Sequence, residues 1–219
     1  MVSLLTSHLP AARPESETPL AIKPPPGRLA VVADGNFPDP DDISTTAVIF
    51  GILSGAGLQY RLVHLSHSCD LDPFSNPTSR QVISKVDELR RQEKLHELCG
   101  KGIQIFGPFE NLTNYYNCRT ERDAAVDDLR KAIDASSAED PLWIVEAGEP
   151  DIIGYALKAT IGSKRSHVHV ISHHPANDNS GDVFTWQEIL DFGITEHQDR
   201  RPEQGPANDA GSVGLGAES

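Results

Sequence analysis

The apolar positions of this chain fall into two alternating periods. Continuous short runs at Leu29–Ala33, Tyr60–Leu65, Ile103–Phe106, Leu142–Val145 and His167–Ile171 have the length and unbroken character of strands buried on both faces. Between them the spacing turns helical. Ile43–Ser54 is apolar and stops at Gly55. Thr78–Cys99 carries Val82, Val86 and Leu89 on one face, with Asn76-Pro77 as a start signal and Gly100 as a stop. Thr120–Ala135 carries Val126, Leu129 and Ile133, and Thr120 and Asp123 are spaced like a capping box. Asp151–Ile161 and Thr185–Leu190 complete the set. Strand and helix alternating five times predict an α/β fold: a Rossmann-like, doubly wound sheet, mainly parallel, of five or more strands with helices on both faces.

The pattern fades at both ends. Residues 1–27 are rich in Pro, Ser and Glu and finish in Pro24-Pro25-Pro26-Gly27, which predicts an extended, flexible lead-in. From Thr195 the apolar spacing stops, so 28–195 is expected to be the folded domain and 196–219 a disordered acidic tail. At 219 residues this leaves one well-buried domain.

Charge narrows the partners. A formal net charge of −13 disfavours nucleic acid and anionic membrane, because phosphates would be repelled. No apolar run approaches bilayer-spanning length, and the N-terminus lacks a basic start with an apolar core. Cys69, Cys99 and Cys118 are odd in number and widely spaced, which reads as reduced thiols in a cytoplasmic protein rather than a zinc site.

The densest chemistry follows the first strand. Asp34, Asp39, Asp41 and Asp42 lie within one turn-rich stretch containing Gly35, Pro38 and Pro40, immediately before a helix. Carboxylates this close repel one another unless a cation or helix N-terminal amides offset the repulsion. One Asp capping the helix with the others in water is the plain alternative. In open α/β sheets, however, ligands bind beyond the carboxyl ends of strands.

The other strand ends are polar as well. They include His64-Leu-Ser-His67, then Gly107–Asn111 with Asn114 and Asn117, then Glu146-Ala-Gly-Glu-Pro-Asp151, and finally Ser172-His-His-Pro-Ala-Asn-Asp-Asn179. His64, among apolar neighbours, reads as a satisfied core histidine, and His173-His174 as a surface pair. His67 lies nearer the rim. Glu146 directly after an apolar strand would be costly to bury without a partner, so it is a candidate for ligand contact.

Neither GxGxxG nor GxxxxGK[ST] nor GxSxG is present, which disfavours a dinucleotide fold of the usual type, a P-loop hydrolase and a nucleophile elbow. The remaining donors are oxygens, amides and a few imidazoles. Oxygen ligands in an acidic loop suit Ca2+ first and Mg2+ second. Such an ion can activate a water, and the surrounding amides and acids suit sugar hydroxyls, which points to hydrolysis at a sugar carbon.

The run Asp34-Gly-x-x-x-Asp-Pro-Asp-Asp42 resembles the N-terminal Asp-rich motif of the inosine–uridine nucleoside hydrolase superfamily, usually DxDxGxDD. Ile103–Phe109 is similar to the family's third strand and its Gly-containing end, and Glu146–Leu157 to the segment that lends a main-chain oxygen to calcium. The resemblance spans about residues 28–190. It implies Ca2+-dependent hydrolysis of the N-glycosidic bond of a nucleoside or related ribosyl compound. Asp42 would ligate the cation and Asp41 would hold ribose hydroxyls. Asp39, or in second place Asp34, would be the ligand that also acts as general base on the metal-held water. Ala147 would offer its carbonyl. His67 stands where the family often has Asn, and Asn177 and Asn179 resemble its sugar-binding amides. Asn36 and Phe37 interrupt the usual spacing, which leaves the base open between Asp39 and Asp34. Family members usually run further and bring another aspartate to the metal; here Asp178 or a residue of the tail substitutes, or a partner chain, such as a second copy, completes the site, or the metal site is incomplete.

Two other readings stay open. One is a catalytically silent module that binds a sugar or nucleoside or assembles with a partner. The other is a metal-dependent phosphohydrolase, for which Arg119 and Arg122 are the nearby cations.

Overall fold

The computed structural model describes residues 23–35, 40–69, 85–172 and 175–198; at 40–43, 45, 85–89 and 176 it describes the backbone alone. Six strands form one sheet: β1 Arg28–Ala33, β2 Leu62–His67, β3 Tyr116–Asn117, β4 Leu142–Ala147, β5 Val168–Ser172 and β6 Thr195–Gln198. All neighbours pair in parallel, in the order β3-β2-β1-β4-β5-β6. The helices are α1 Pro40–Gly55, α2 Lys85–Phe106, α3 Cys118–Asp134, α4 Asp151–Ala159, the single turn α5 Pro175–Asp178, and α6 Trp186–Leu190. This is a Rossmann-like α/β fold with its reversal of strand order between β1 and β4.

The two sides of the sheet bury different helices. Ala30, Val32, Ile144 and Val170 point to one side, where Leu129 and Ile133 of α3, Ile152 and Leu157 of α4 and Ile189 of α6 close over them. Val31, Ala33 and Leu65 point to the other, against Phe50 and Leu53 of α1 and Leu95 and Cys99 of α2. Each of these larger aliphatic side chains contributes roughly 1.5–3 kcal/mol by leaving water, and covering from both sides is why β1 is an unbroken apolar run.

Expectations are corrected in four regions. Ile103–Phe106 is not a strand but the last turn of α2, with Gln104, Ile105 and Phe106 exposed. Gly100 does not stop that helix: a Cβ there would meet the Tyr115 hydroxyl at 2.7 Å, and at Gly102 one would meet the Phe50 ring at 2.4 Å. Both glycines let neighbours approach α2 closely. Consequently Gly107–Asn111 does not lie on the carboxyl rim, and Asn111 donates its side-chain amide to the Tyr60 carbonyl just ahead of β2. Second, the strand expected at Tyr60–Leu65 runs from Leu62 to His67. Third, α3 is capped by Asn117, whose side chain accepts the Arg119 amide at 3.0 Å, rather than by Thr120 and Asp123. Fourth, the sheet continues past residue 195 as β6, paired along β5. The Asn76-Pro77 start signal and Val82 lie outside the described residues.

Candidate functional site

The carboxyl ends of three strands are laced together by backbone hydrogen bonds. Asp34 donates its amide to the Ala147 carbonyl at 3.0 Å, Cys69 to Ala33 at 3.1 Å, and Ser68 to the Asp34 carbonyl at 3.4 Å. Close packing reinforces the lacing. A Cβ on Gly148 would stand 2.6 Å from Cys69 Sγ and 2.7 Å from the Asp34 Cβ and amide nitrogen, so only glycine fits between β1 and β4 there. Gly35 is equally enclosed, with Leu95 and Ser68 Oγ where its side chain would be. Asp34 is thereby held half-buried at the reversal point of the sheet.

The acid loop leads from this point into α1. Asp39 lies outside the described residues, whereas Asp41 and Asp42 follow Pro40 in the first turn of the helix. Proline suits the first helical position, and carboxylates there meet the positive end of the helix dipole. Among the described residues, no three His, Cys, Asp or Glu side chains converge as a metal-holding group. The oxygen donors at the β1/β4 ends, among the described residues, are the Asp34 side chain and the Ala147 carbonyl, which has a second lone pair beside the one taken by the Asp34 amide.

Glu146 is fully buried one residue before the end of β4, in register with Val32 on one side and Ser172 on the other. His67 is buried at the end of β2. Its Nδ1 lies 3.0 Å from Ser68 Oγ and its Nε2 lies 3.0 Å from His96 Nδ1 on α2. Burial, and then the neighbouring His96, push its pKa down to about 3, so the ring is neutral at neutral pH. His64 is the satisfied core histidine expected of it. Its Nδ1 is 2.7 Å from Asp128 Oδ2, its Nε2 3.1 Å from Ser66 Oγ, and its ring stacks on Tyr116.

The end of β5 forms a separate group. Asp178 is buried and accepts from Ser172 Oγ at 2.5 Å and from Gln198 Nε2 of β6 at 3.2 Å. The Asn177 carbonyl accepts the Ser180 amide and hydroxyl, at 2.9 and 2.6 Å. Asn179 is exposed and donates its side-chain amide back to the Pro175 carbonyl at 2.6 Å. The structure therefore brings Asp34 and Ala147 together, with Glu146 one position away on β4, and ties Asp178 to β5 and β6. His173 and His174 lie outside the described residues.

Three features were missed from sequence. Fully buried Asp151 opens α4 and gathers the amides of Asp182, Val183 and Phe184 at 2.9–3.2 Å, holding the 182–184 loop against the rim. An acid directly after Pro150 was the available signal, a proline and a carboxylate together at a helix start. Ser68 adopts a left-handed backbone, φ 55°, at the end of β2. This is an uncommon conformation for a residue other than glycine, and it collects at functional turns. The third is His96 as the partner of His67, which no sequence spacing announces.

An open cleft of about 560 Å3 at the head of α3 is lined by residues 118–124, including Arg119 and Arg122, and by none of the predicted site residues. The three cysteines are free and buried, and burial pushes the Cys99 thiol up to about 12. No described helix is long and apolar enough to cross a membrane.

No family model matches the chain, and no solved structure matches it. Over 175 residues, 80% of its length, the chain is 51% identical to a Formosa agariphila protein named "Uncharacterized protein P22". The match covers 62% of that relative, so the chain spans less than two thirds of it.

Proposed function

We propose that this chain is a nucleoside-hydrolase-like domain that holds a divalent cation, Ca2+ before Mg2+, at the β1/β4 crevice and hydrolyses the N-glycosidic bond of a nucleoside or related ribosyl compound. The observation that carries this reading is the position of the acidic segment. It leaves β1 at the reversal of strand order, where parallel α/β sheets take their ligands, and enters α1 at once.

The donor set suits a hard cation, being carboxylates and a main-chain carbonyl without thiolate or imidazole. In this reading Asp42 and the Ala147 carbonyl hold the ion, with Asp39 or Asp34 beside them. When bound, the ion supplies positive charge that favours an ionised water at neutral pH. Asp39, or in second place Asp34, accepts the proton of the attacking water. Asp41 orients ribose hydroxyls, whose bonds strengthen as positive charge spreads over the sugar ring. Asp151 positions the 182–184 loop at the edge of the crevice, and buried His67 shapes its floor as a neutral ring. Asp178 enters as a support of the β5–β6 end. Three buried free thiols fit a reducing, cytoplasmic setting.

The test is ribose release from a panel of nucleosides by EDTA-stripped protein with and without added Ca2+. The expected result is release that depends on the ion and is lost in Asp39→Asn or Asp34→Asn. Ion and ligand binding with no release would replace this reading with the silent binding module.

A further inference from the structure

On the far half of the sheet, three rings from three neighbouring strands meet on one face. Trp143 of β4 and His169 of β5 are partners in register and stack at 4.4 Å, with planes 16° apart. His197 of β6 lies diagonally across from His169, two residues beyond its partner Thr195, with its ring 5.0 Å from Trp143. The two histidines face each other through nitrogen, with His169 Nδ1 3.1 Å from His197 Nε2. Ile171, Thr195 and His197 on this face are exposed.

We propose that His169 and His197 form a two-imidazole site for a divalent d-block cation of borderline softness (Cu2+, Ni2+ or Zn2+) on the open face of β5 and β6. Metal–imidazole bonds of roughly 2.0–2.1 Å place two nitrogens on one ion about 2.9 Å apart at a right angle and about 3.4 Å apart at a tetrahedral one. The observed 3.1 Å falls between these, so small ring rotations turn both lone pairs onto one ion. Trp143 limits those rotations by lying against both rings, which reduces the ordering the ion must impose. Glu196 between them cannot join, because its carboxylate takes the Trp186 indole N–H at 2.9 Å on the other side of the sheet. The remaining coordination positions belong to water or an external ligand. This donor set is chemically distinct from the oxygen-rich crevice, since imidazole selects d-block ions over Ca2+. An ion here would also clip the edge strand to its neighbour.

The chain has two tryptophans, and Trp143 alone stands beside the pair. The experiment is a Cu2+ titration of the full-length, EDTA-treated chain, read by quenching of indole emission. Quenching should saturate at one equivalent in Trp186→Phe, be absent in Trp143→Phe, and be reversed by EDTA or by a large excess of Zn2+ over Cu2+ but not by Ca2+. His197→Gln, at an exposed edge position, and His169→Gln should each weaken it by at least about tenfold, the lower end of what even a supporting residue of a metal site contributes. Far-ultraviolet circular dichroism establishes that each variant is folded. Unaltered quenching in folded His197→Gln, or quenching that never saturates, would overturn the proposal and leave the pair as a hydrogen bond between rings. Neither result bears on the crevice, which takes no part in the readout.

Discussion

Asp34 donates its amide to the carbonyl of Ala147 at 3.0 Å, and this bond joins β1 to β4 at the one place where strand order reverses. The main chain is thus fastened between the two strands at the point where the acidic segment begins. Gly148 makes the approach possible, because any Cβ there would collide with Asp34 and Cys69.

Gly148→Ala should therefore lower stability by about 1–3 kcal/mol, the range for an overpacked interior. Urea unfolding measures it. Equal stability of the two proteins would show that the ends of β1 and β4 can part without cost.

Asp151→Ala should be the more damaging change. It leaves the amide of Val183 and the buried amide of Phe184 without their acceptor, at a cost on the order of 3 kcal/mol for hydrogen bonds to a charged group. Asp151→Asn keeps one acceptor oxygen and should lose less. Limited proteolysis should cut the Ala variant first within 182–185, and resistance equal to wild type would contradict the clamp.

Stability should also fall in acid because of His67. The ring titrates at 6.5 when unfolded and at about 3 when folded, so between these values the unfolded chain binds the extra proton. The stabilisation is complete above pH 6.5 and is lost as pH falls toward 3, by up to about 1.4 kcal/mol per pH unit. Denaturant melts at neutral and mildly acid pH, compared between wild type and His67→Gln, isolate this slope. An identical slope in the variant would assign the acid sensitivity to other groups.

How much of this was legible follows from where each element meets water. β1 is covered on both faces, and β4 and β5 bury every second residue completely, so their apolar runs stand out within a residue or two. Thr195-Glu-His-Gln198 is a polar edge strand with one open face and carries no apolar signature. Tyr116-Asn117 is too short to show alternation. Ile103–Phe106 misleads because a short apolar run is the same string in a buried strand and at a helix end. At the site, Asp34 and Ala147 were legible as residues that follow strands. The hold of Asp151 on the 182–184 loop was not, since its partners are backbone amides, which every sequence contains.

The acidic segment is the centre of the account, and calorimetric titration of Ca2+ into the EDTA-stripped chain tests it most directly. One ion should bind per chain and raise the melting temperature by mass action. Asp42→Asn should weaken binding far more than Asp41→Asn, since Asp42 is assigned to the ion and Asp41 to a ribose hydroxyl. A wild-type chain that gives no binding heat, and whose melting curve is indifferent to both EDTA and millimolar Ca2+, would contradict the account and leave the aspartates as a solvated helix cap.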